Sequence, residues 1–208
     1  MKRIILSEGE NDTIFLKELL TEKMNIEESR ILFFDQNPEN IKKNLKFLED
    51  KYFDKLDSEW MPYKLLVKSE GGKSKVIGVT ISKLVHLCQK GYDPIMLIDL
   101  DSSLMDSNSI KSFIGRFEEK LINRFRGISL TVESSELHKI SDALMYSMTL
   151  FKNIKPIGTI YIIGFYQTLE TVTGIKKNHT DGEKKKLSQT YIKKSKIHEI
   201  FNKALSNF

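Results

Sequence analysis

The chain has 208 residues, of which 40% are hydrophobic and 29% are charged, so it is long enough to form one domain with a substantial core. It contains no apolar run of the roughly 18 residues that a membrane-spanning helix needs, and its first residues resemble a strand rather than a signal peptide. Its single cysteine, Cys88, excludes an internal disulfide and a cysteine-rich zinc site. We therefore expect a cytoplasmic protein that does not enter a membrane.

Strand-like segments alternate with segments of helical periodicity along the whole chain. The predicted strands are residues 2–7, 30–35, 63–69, 94–101, 127–133 and 158–167. The predicted helices are residues 12–24, 37–55, 73–90, 109–124, 135–151 and 188–205. This order predicts an α/β fold with a doubly wound, mainly parallel sheet and helices on both faces.

Acidic residues follow two of the predicted strands at the point where each strand ends. Glu8 follows the first strand, and Asp99 and Asp101 share one face at the end of the most hydrophobic strand. Ligands of doubly wound folds bind outside the carboxyl ends of the strands. A carboxylate left unpaired beside an apolar strand costs several kcal/mol, and Mg²⁺ or Mn²⁺ is the usual partner of oxygen-only ligands. We expect a cation site formed by these three residues.

Further residues are weaker candidates for the same edge of the sheet. Asp12 is predicted to cap the first helix and is a weaker candidate metal ligand. Glu133 would lie on the same edge if its strand is parallel to the others, although helix capping is the alternative. Gly9 leaves room for a phosphate at the start of a helix. Gly72 and Lys73 could approach a backbone phosphate, with a plain turn as the alternative.

A basic segment lies near the C-terminal end of the sequence. Residues 176–196 contain eight lysines and two acidic residues, whereas the whole chain has a net charge of +5. Such a segment beside a nearly neutral body indicates a polyanionic partner. We expect residues 181–186 to form an exposed loop in which Lys184, Lys185 and Lys186 contact nucleic acid. The alternative is a solvated loop without a partner that leads into a lysine-rich helix.

The acidic motifs resemble those of a known family. The stretch "SEGENDTIFLKELL", followed by "MLIDLDSS", resembles the Toprim domain of bacterial primases, type IA and II topoisomerases, overcoming-lysogenization-defect nucleases and the 5S ribosomal RNA maturase. Glu8, Gly9 and Asp12 match its Glu-Gly-x-x-Asp motif, and Asp99 and Asp101 match its Asp-x-Asp motif. The intervening "LLVKSEGGKSKV" looks like the strand and glycine turn that precede the second motif.

The resemblance covers about residues 1–125, which we expect to be a Toprim-like catalytic core, with residues 126–208 as an α/β extension packed on the same domain. It implies Mg²⁺- or Mn²⁺-dependent phosphoryl transfer on DNA or RNA by a small nuclease or primase-like protein. Asp99 and Asp101 would hold the metal, and Glu8 would ligate it or act as general acid or base. The chain lacks a primase basic triplet and a topoisomerase tyrosine context, so we do not expect strand passage. As partners we expect DNA or RNA, with a homodimer or a larger nucleic-acid-processing complex.

Two other functions remain open from the sequence. The chain could be a Toprim-like module that binds nucleic acid or a protein partner without catalysis. The stretch "IDLDSSLMDS" also resembles the opening of haloacid-dehalogenase phosphatases, in which Asp99 would be the nucleophile and Asp101 the acid or base. That resemblance leaves Glu8 and Asp12 without a role.

Overall fold

The structure is a computed structural model that describes residues 2–34, 63–100, 107–125 and 130–206. The strands are β1 Lys2–Ser7, β2 Ile31–Phe33, β3 Leu65–Ser69, β4 Tyr92–Asp99, β5 Leu130–Lys139, β6 Ala143–Lys152 and β7 Lys155–Phe165. The α-helices are α1 Glu10–Lys17, α2 Lys73–Gln89, α3 Ser107–Arg124, α4 Leu169–Thr173, α5 Asp181–Lys194 and α6 Ile197–Ala204. A π-helical segment, Glu18–Lys23, continues α1, and a 3₁₀ turn, Glu28–Arg30, precedes β2.

The strands of the described residues form one seven-stranded sheet in the order β2-β3-β1-β4-β7-β6-β5. The strands from β2 to β7 in this order are parallel, whereas β6 and β5 continue the sheet in antiparallel pairing. The predicted α/β class is confirmed, and the predicted parallel pairing holds for five strands. Because β7 pairs directly with β4, the sheet is continuous across the predicted division near residue 125.

Helices cover the two faces of the sheet because the central strands are apolar on both sides. All residues of β4 except Asp99 are buried, as expected for the middle of a parallel sheet. Ile95 and Leu97 pack with residues of α1, α5 and α6, whereas Met96 and Ile98 pack with residues of α2 and α3. Among the helices that the structure describes, none is both long and apolar enough to cross a membrane.

A buried arginine connects the first strand to the last helix. The Arg3 guanidinium donates a hydrogen bond to the Asp93 carboxylate and another to the Ala204 carbonyl oxygen, the latter at 3.1 Å. It also lies 5.1 Å from the centre of the Tyr161 ring. Because Arg3 is 2% exposed, its charge depends on these partners. The contacts fix α6 against the end of the sheet that is opposite the carboxyl ends of the parallel strands.

The predicted helix at residues 135–151 is wrong. The strand β5 continues through Lys139, and β6 follows after a turn that contains Ser141 and Asp142. The physical reason is a period of two residues: Leu144, Tyr146, Met148 and Leu150 all pack into the core on the α2 and α3 side of the sheet. Packing on the α2 and α3 side buries this face, and pairing with β7 satisfies the backbone. Together they outweigh the helical propensity of the segment.

The predicted loop at residues 181–186 is also wrong, because these residues form the first turns of α5. Thr180 and Glu183 form a capping box, in which Thr180 N donates to Glu183 Oε2 at 2.8 Å and Glu183 N donates to Thr180 Oγ1 at 3.3 Å. The predicted helix at residues 188–205 is divided at Ser195 into α5 and α6. The predicted helix at residues 37–55 lies outside the described residues.

Candidate functional site

The structure brings Glu8 and Asp99 together at the carboxyl edge of the sheet. The strands β1 and β4 are parallel neighbours, with Leu6 opposite Met96, so Glu8, the residue after β1, lies about one residue short of the level of Asp99 at the end of β4. The Asp99 backbone N–H donates a hydrogen bond to Glu8 Oε1 at 2.8 Å. The side chain that follows β1 therefore reaches across to the end of β4, as the sequence predicted.

The Asp99 side chain is oriented by the segment that follows β7. Leu169 N, at the start of α4, donates a hydrogen bond to Asp99 Oδ1 at 3.0 Å. The neighbouring Leu100 N donates to the carbonyl oxygen of Phe165 at 2.7 Å and keeps the end of β4 paired with β7. Both half-buried carboxylates, Glu8 and Asp99, thus accept hydrogen bonds from backbone N–H groups, which orient them.

Asp12 joins this edge in a different role from the predicted one. Gly9 is the N-cap residue of α1, and Asp12 lies three residues later, with its Oδ2 accepting a hydrogen bond from Gly9 N at 2.8 Å. Asp12 is only 7% exposed. The pKa of Asp12 is raised to about 8, chiefly because burial disfavours its charged form, while the Gly9 hydrogen bond lowers it.

A fourth carboxylate, Glu170, was not predicted from the sequence. It lies in the first turn of α4, and Asn11 Nδ2 donates a hydrogen bond to its Oε1 at 2.8 Å. After burial, the nearby charges of Asp99, Glu170 and Glu8 also raise the pKa of Asp12. The sequence could have pointed to Glu170, because this residue closely follows β7, and β7 ends at the same edge of the sheet as β1 and β4.

The predicted glycine turn borders the same edge. Gly71 and Gly72 have φ angles of 77° and 129°, which side-chain-bearing residues rarely adopt. Gly72 N donates to the Glu8 carbonyl oxygen at 2.6 Å, and Lys73 begins α2 directly after it. Gly9, in contrast, has an extended conformation, and a Cβ there would meet no atom within 4 Å. The backbone therefore requires glycine at the α2 turn but not at position 9.

Of the two remaining predicted ligands, the structure describes only one. Asp101 lies outside the described residues. Glu133 pairs with Thr149 in β6, which pairs with Thr159 in β7, whereas the site lies level with Phe165. The level of Thr159 lies about 20 Å from that of Phe165, at roughly 3.3 Å per residue along the strand. In addition, β5 is three strands away from β4. Glu133 is exposed on the outer strand instead.

The three predicted lysines of α5 have different environments. Lys184 is buried, with its Nζ 3.9 Å from Asp181 Oδ1. Lys185 Nζ lies 3.2 Å from Oε1 of Glu18, a carboxylate that is itself only 4% exposed. Lys186 is exposed. Two of the three side chains therefore contact the protein itself.

The carboxylates at this edge are suitable ligands for a hard cation, but the described residues do not form a complete metal-binding group. Carboxylate oxygens are the ligands that Mg²⁺ and Mn²⁺ prefer. Within the described ranges, no group of three or more His, Cys, Asp or Glu side chains is arranged to hold a metal ion. Burial is the main cause of the raised pKa of Asp12, and the nearby charges of Asp99, Glu170 and Glu8 add to it.

Comparisons of the chain with protein-family models, with curated proteins and with solved structures find no match.

Proposed function

We propose that the chain is a cytoplasmic, metal-dependent enzyme that transfers phosphoryl groups on DNA or RNA, as a small Toprim-like nuclease or primase-like protein. The observation that carries this proposal is the 2.8 Å hydrogen bond from Asp99 N to Glu8 Oε1. It joins two acidic motifs that are 91 residues apart in sequence. Acidic side chains at the carboxyl edge of an α/β sheet lie where such folds bind ligands.

The side chains of this edge combine two oriented carboxylates with one carboxyl group of raised pKa. Glu8 and Asp99 accept backbone N–H groups, which orient their carboxylates. Asp12 has a pKa of about 8 and therefore holds a proton at neutral pH. A carboxyl group that titrates near the working pH is suited to proton transfer. A bound Mg²⁺ or Mn²⁺ ion, for which Asp101 is the remaining predicted ligand, would supply charge stabilisation for the phosphate.

The basic residues that remain exposed support a nucleic-acid partner. Lys184, Lys185 and Lys196 contact acidic residues of the chain, but other lysines of the basic segment are exposed: Lys176, Lys177, Lys186, Lys193 and Lys194. The sequence pI is about 9.0. Lysines of this kind bind phosphates by releasing counterions, so affinity for nucleic acid should fall steeply as salt is added.

The test combines Mn²⁺ binding, measured by electron paramagnetic resonance, with cleavage of labelled DNA and RNA. Glu8→Gln and Asp99→Asn retain an oxygen that can accept the observed backbone hydrogen bond, so both variants should fold. Each should weaken Mn²⁺ binding at least tenfold and lower activity about 100-fold or more, the scale of losing one electrostatic group in a catalytic site. Glu10→Gln, which changes an exposed acid of the same turn, is the matched control and should change neither property.

Unchanged Mn²⁺ binding and activity in Glu8→Gln and Asp99→Asn would contradict the proposal. A second function, binding of nucleic acid or a protein partner without catalysis, is favoured by the incomplete metal-binding group of the described residues. It predicts salt-dependent nucleic-acid binding in the parent that neither Mn²⁺ nor the two substitutions alter, and no cleavage product.

A further inference from the structure

We propose that β5 is a docking strand for an extended peptide that carries a lysine or arginine, with the cationic side chain placed in a cavity beside Glu133. In the described part of the chain, β2 and β5 are the two edge strands of the sheet, and β5 pairs with β6 alone. The proposal does not depend on the acidic edge or on the function proposed above.

The half of β5 at residues 130–136 is the part that can accept another strand. Its pairing with β6 is regular from Leu130 to Glu136, and the register shifts only between Glu136 and His138. Side chains from Thr131 to Leu137 are exposed, apart from the half-buried Val132. A bulge protects an edge strand against pairing. Within the described ranges, it is therefore the regular half of β5 that has backbone N–H and C=O groups without a strand partner.

A cavity of about 370 Å³ adjoins this same half of the strand. It is lined by Thr131, Glu133, Phe151, Asn153 and Ile154. Thr131 and Glu133 point to one face of β5, and Phe151 lies opposite Thr131 in β6. Asn153 and Ile154 form the turn between β6 and β7, and Ile154 is 93% exposed. The cavity is therefore within reach of a side chain from a strand paired with β5.

The lining of the cavity favours a cation with an aliphatic stem. The Glu133 carboxylate would pair with an ammonium or guanidinium group, and the face of the Phe151 ring attracts the same charge. Ile154 offers apolar surface to the methylene groups of the stem. The exposed carboxylates of Glu133 and Glu136 repel phosphates, so a basic peptide fits this edge and a nucleic acid does not. Backbone pairing would supply affinity, and the cavity would supply specificity.

The experiment uses the full chain and a labelled heptapeptide of alternating threonine and valine with a central lysine. Fluorescence anisotropy measures its affinity, and hydrogen exchange locates its site. We expect slower exchange of β5 amides and at least fivefold tighter binding than for the same peptide with central glutamate. Methylation of the peptide backbone nitrogens that face β5 should abolish binding, because it removes the strand pairing but keeps the lysine.

Two variants separate the cavity from the general charge of the strand. Glu133→Gln should reduce the preference for lysine over glutamate to about twofold. Glu136→Gln removes the same charge from the opposite face of β5 and should keep the preference within a factor of two of the parent. The proposal is overturned by equal affinities for the two peptides, by protection outside β5, or by concentration-dependent self-association through β5 without peptide.

Discussion

The acidic residues of the carboxyl edge differ from those of the outer strand in what surrounds them. Glu8 and Asp99 are half buried, Asp12 is buried, and all three accept hydrogen bonds from backbone N–H groups. Glu133 and Glu136 on β5 are exposed. Oriented, partly desolvated carboxylates interact strongly with each other and with a bound cation, whereas exposed ones are screened by water. Residue type alone therefore does not reveal how strongly a carboxylate interacts with its surroundings.

The largest expected effect concerns Asp12 and the dependence of stability on pH. The folded-state pKa of about 8 lies above the ordinary value of 3.8, so between these values the folded state holds a proton that the unfolded chain has lost. Stability should therefore fall as pH rises, by about 1.4 kcal/mol per pH unit from this group. Asp12→Asn should remove this contribution, which urea unfolding from pH 5.5 to 7.5 with EDTA would measure.

Glu133→Gln is the matched control for Asp12→Asn, because it removes one carboxylate from the exposed outer strand. It should leave the pH slope of the parent unchanged. Identical slopes for Asp12→Asn and the parent would show that Asp12 is ionised in the folded protein, and the contrast between the two regions would then be wrong.

A smaller effect is expected at Glu18, a buried acid that lies away from the carboxyl edge of the sheet. Glu18 Oε2 accepts a hydrogen bond from Gln189 Nε2 at 2.7 Å, and Lys185 provides the opposite charge. Lys185→Ala removes that charge and should lower the free energy of unfolding by about 1–2 kcal/mol. Urea denaturation is the measurement.

Lys186→Ala tests the adjacent, exposed lysine of the same helix. Its free energy of unfolding should change by less than about 0.5 kcal/mol. If α5 contacts nucleic acid, this variant should also reduce the slope of log affinity against log salt by about one, as expected for the loss of one phosphate contact. Equal destabilisation by Lys185→Ala and Lys186→Ala would contradict the different roles that we assign to them.

A stabilising effect of modest size is expected at the turn that borders the β5 cavity. Asn153 and Ile154 have φ angles of 50° and 72°, and positive values are unfavourable for a β-branched residue. Ile154→Gly creates the Asn-Gly pair that two-residue hairpin turns prefer. It should stabilise the protein by about 1 kcal/mol, or roughly 2–4 °C in Tm. A lower Tm in calorimetry would show that the Ile154 side chain contributes more than its backbone strain costs.

The parallel part of the fold was predictable because its signals are local. Continuous apolar runs mark β1, β3 and β4, and Gly71 and Gly72 mark the turn that their positive φ angles require. Parallel strands that end together also place Glu8 beside Asp99, so that part of the site could be inferred from strand ends alone.

The C-terminal part was less predictable because its structure depends on distant partners. The segment at residues 143–150 forms a strand since it pairs with β7, and this pairing is not visible in its own composition. The capping box of Thr180 and Glu183 was a local signal for α5 that the lysine run obscured. The partner of Lys185 is a buried residue 167 positions earlier, which no periodicity reveals.

The hydrogen bond from Arg3 to the Ala204 carbonyl oxygen has a consequence for folding during synthesis. The Arg3 guanidinium on β1 can reach Asp93 once β4 has left the ribosome, but it can reach the Ala204 carbonyl oxygen only after α6 has emerged. The completed sheet also needs β7 inserted beside β4. The nascent chain should therefore reach its protease-resistant state late, after α6 emerges, rather than in successive N-terminal steps.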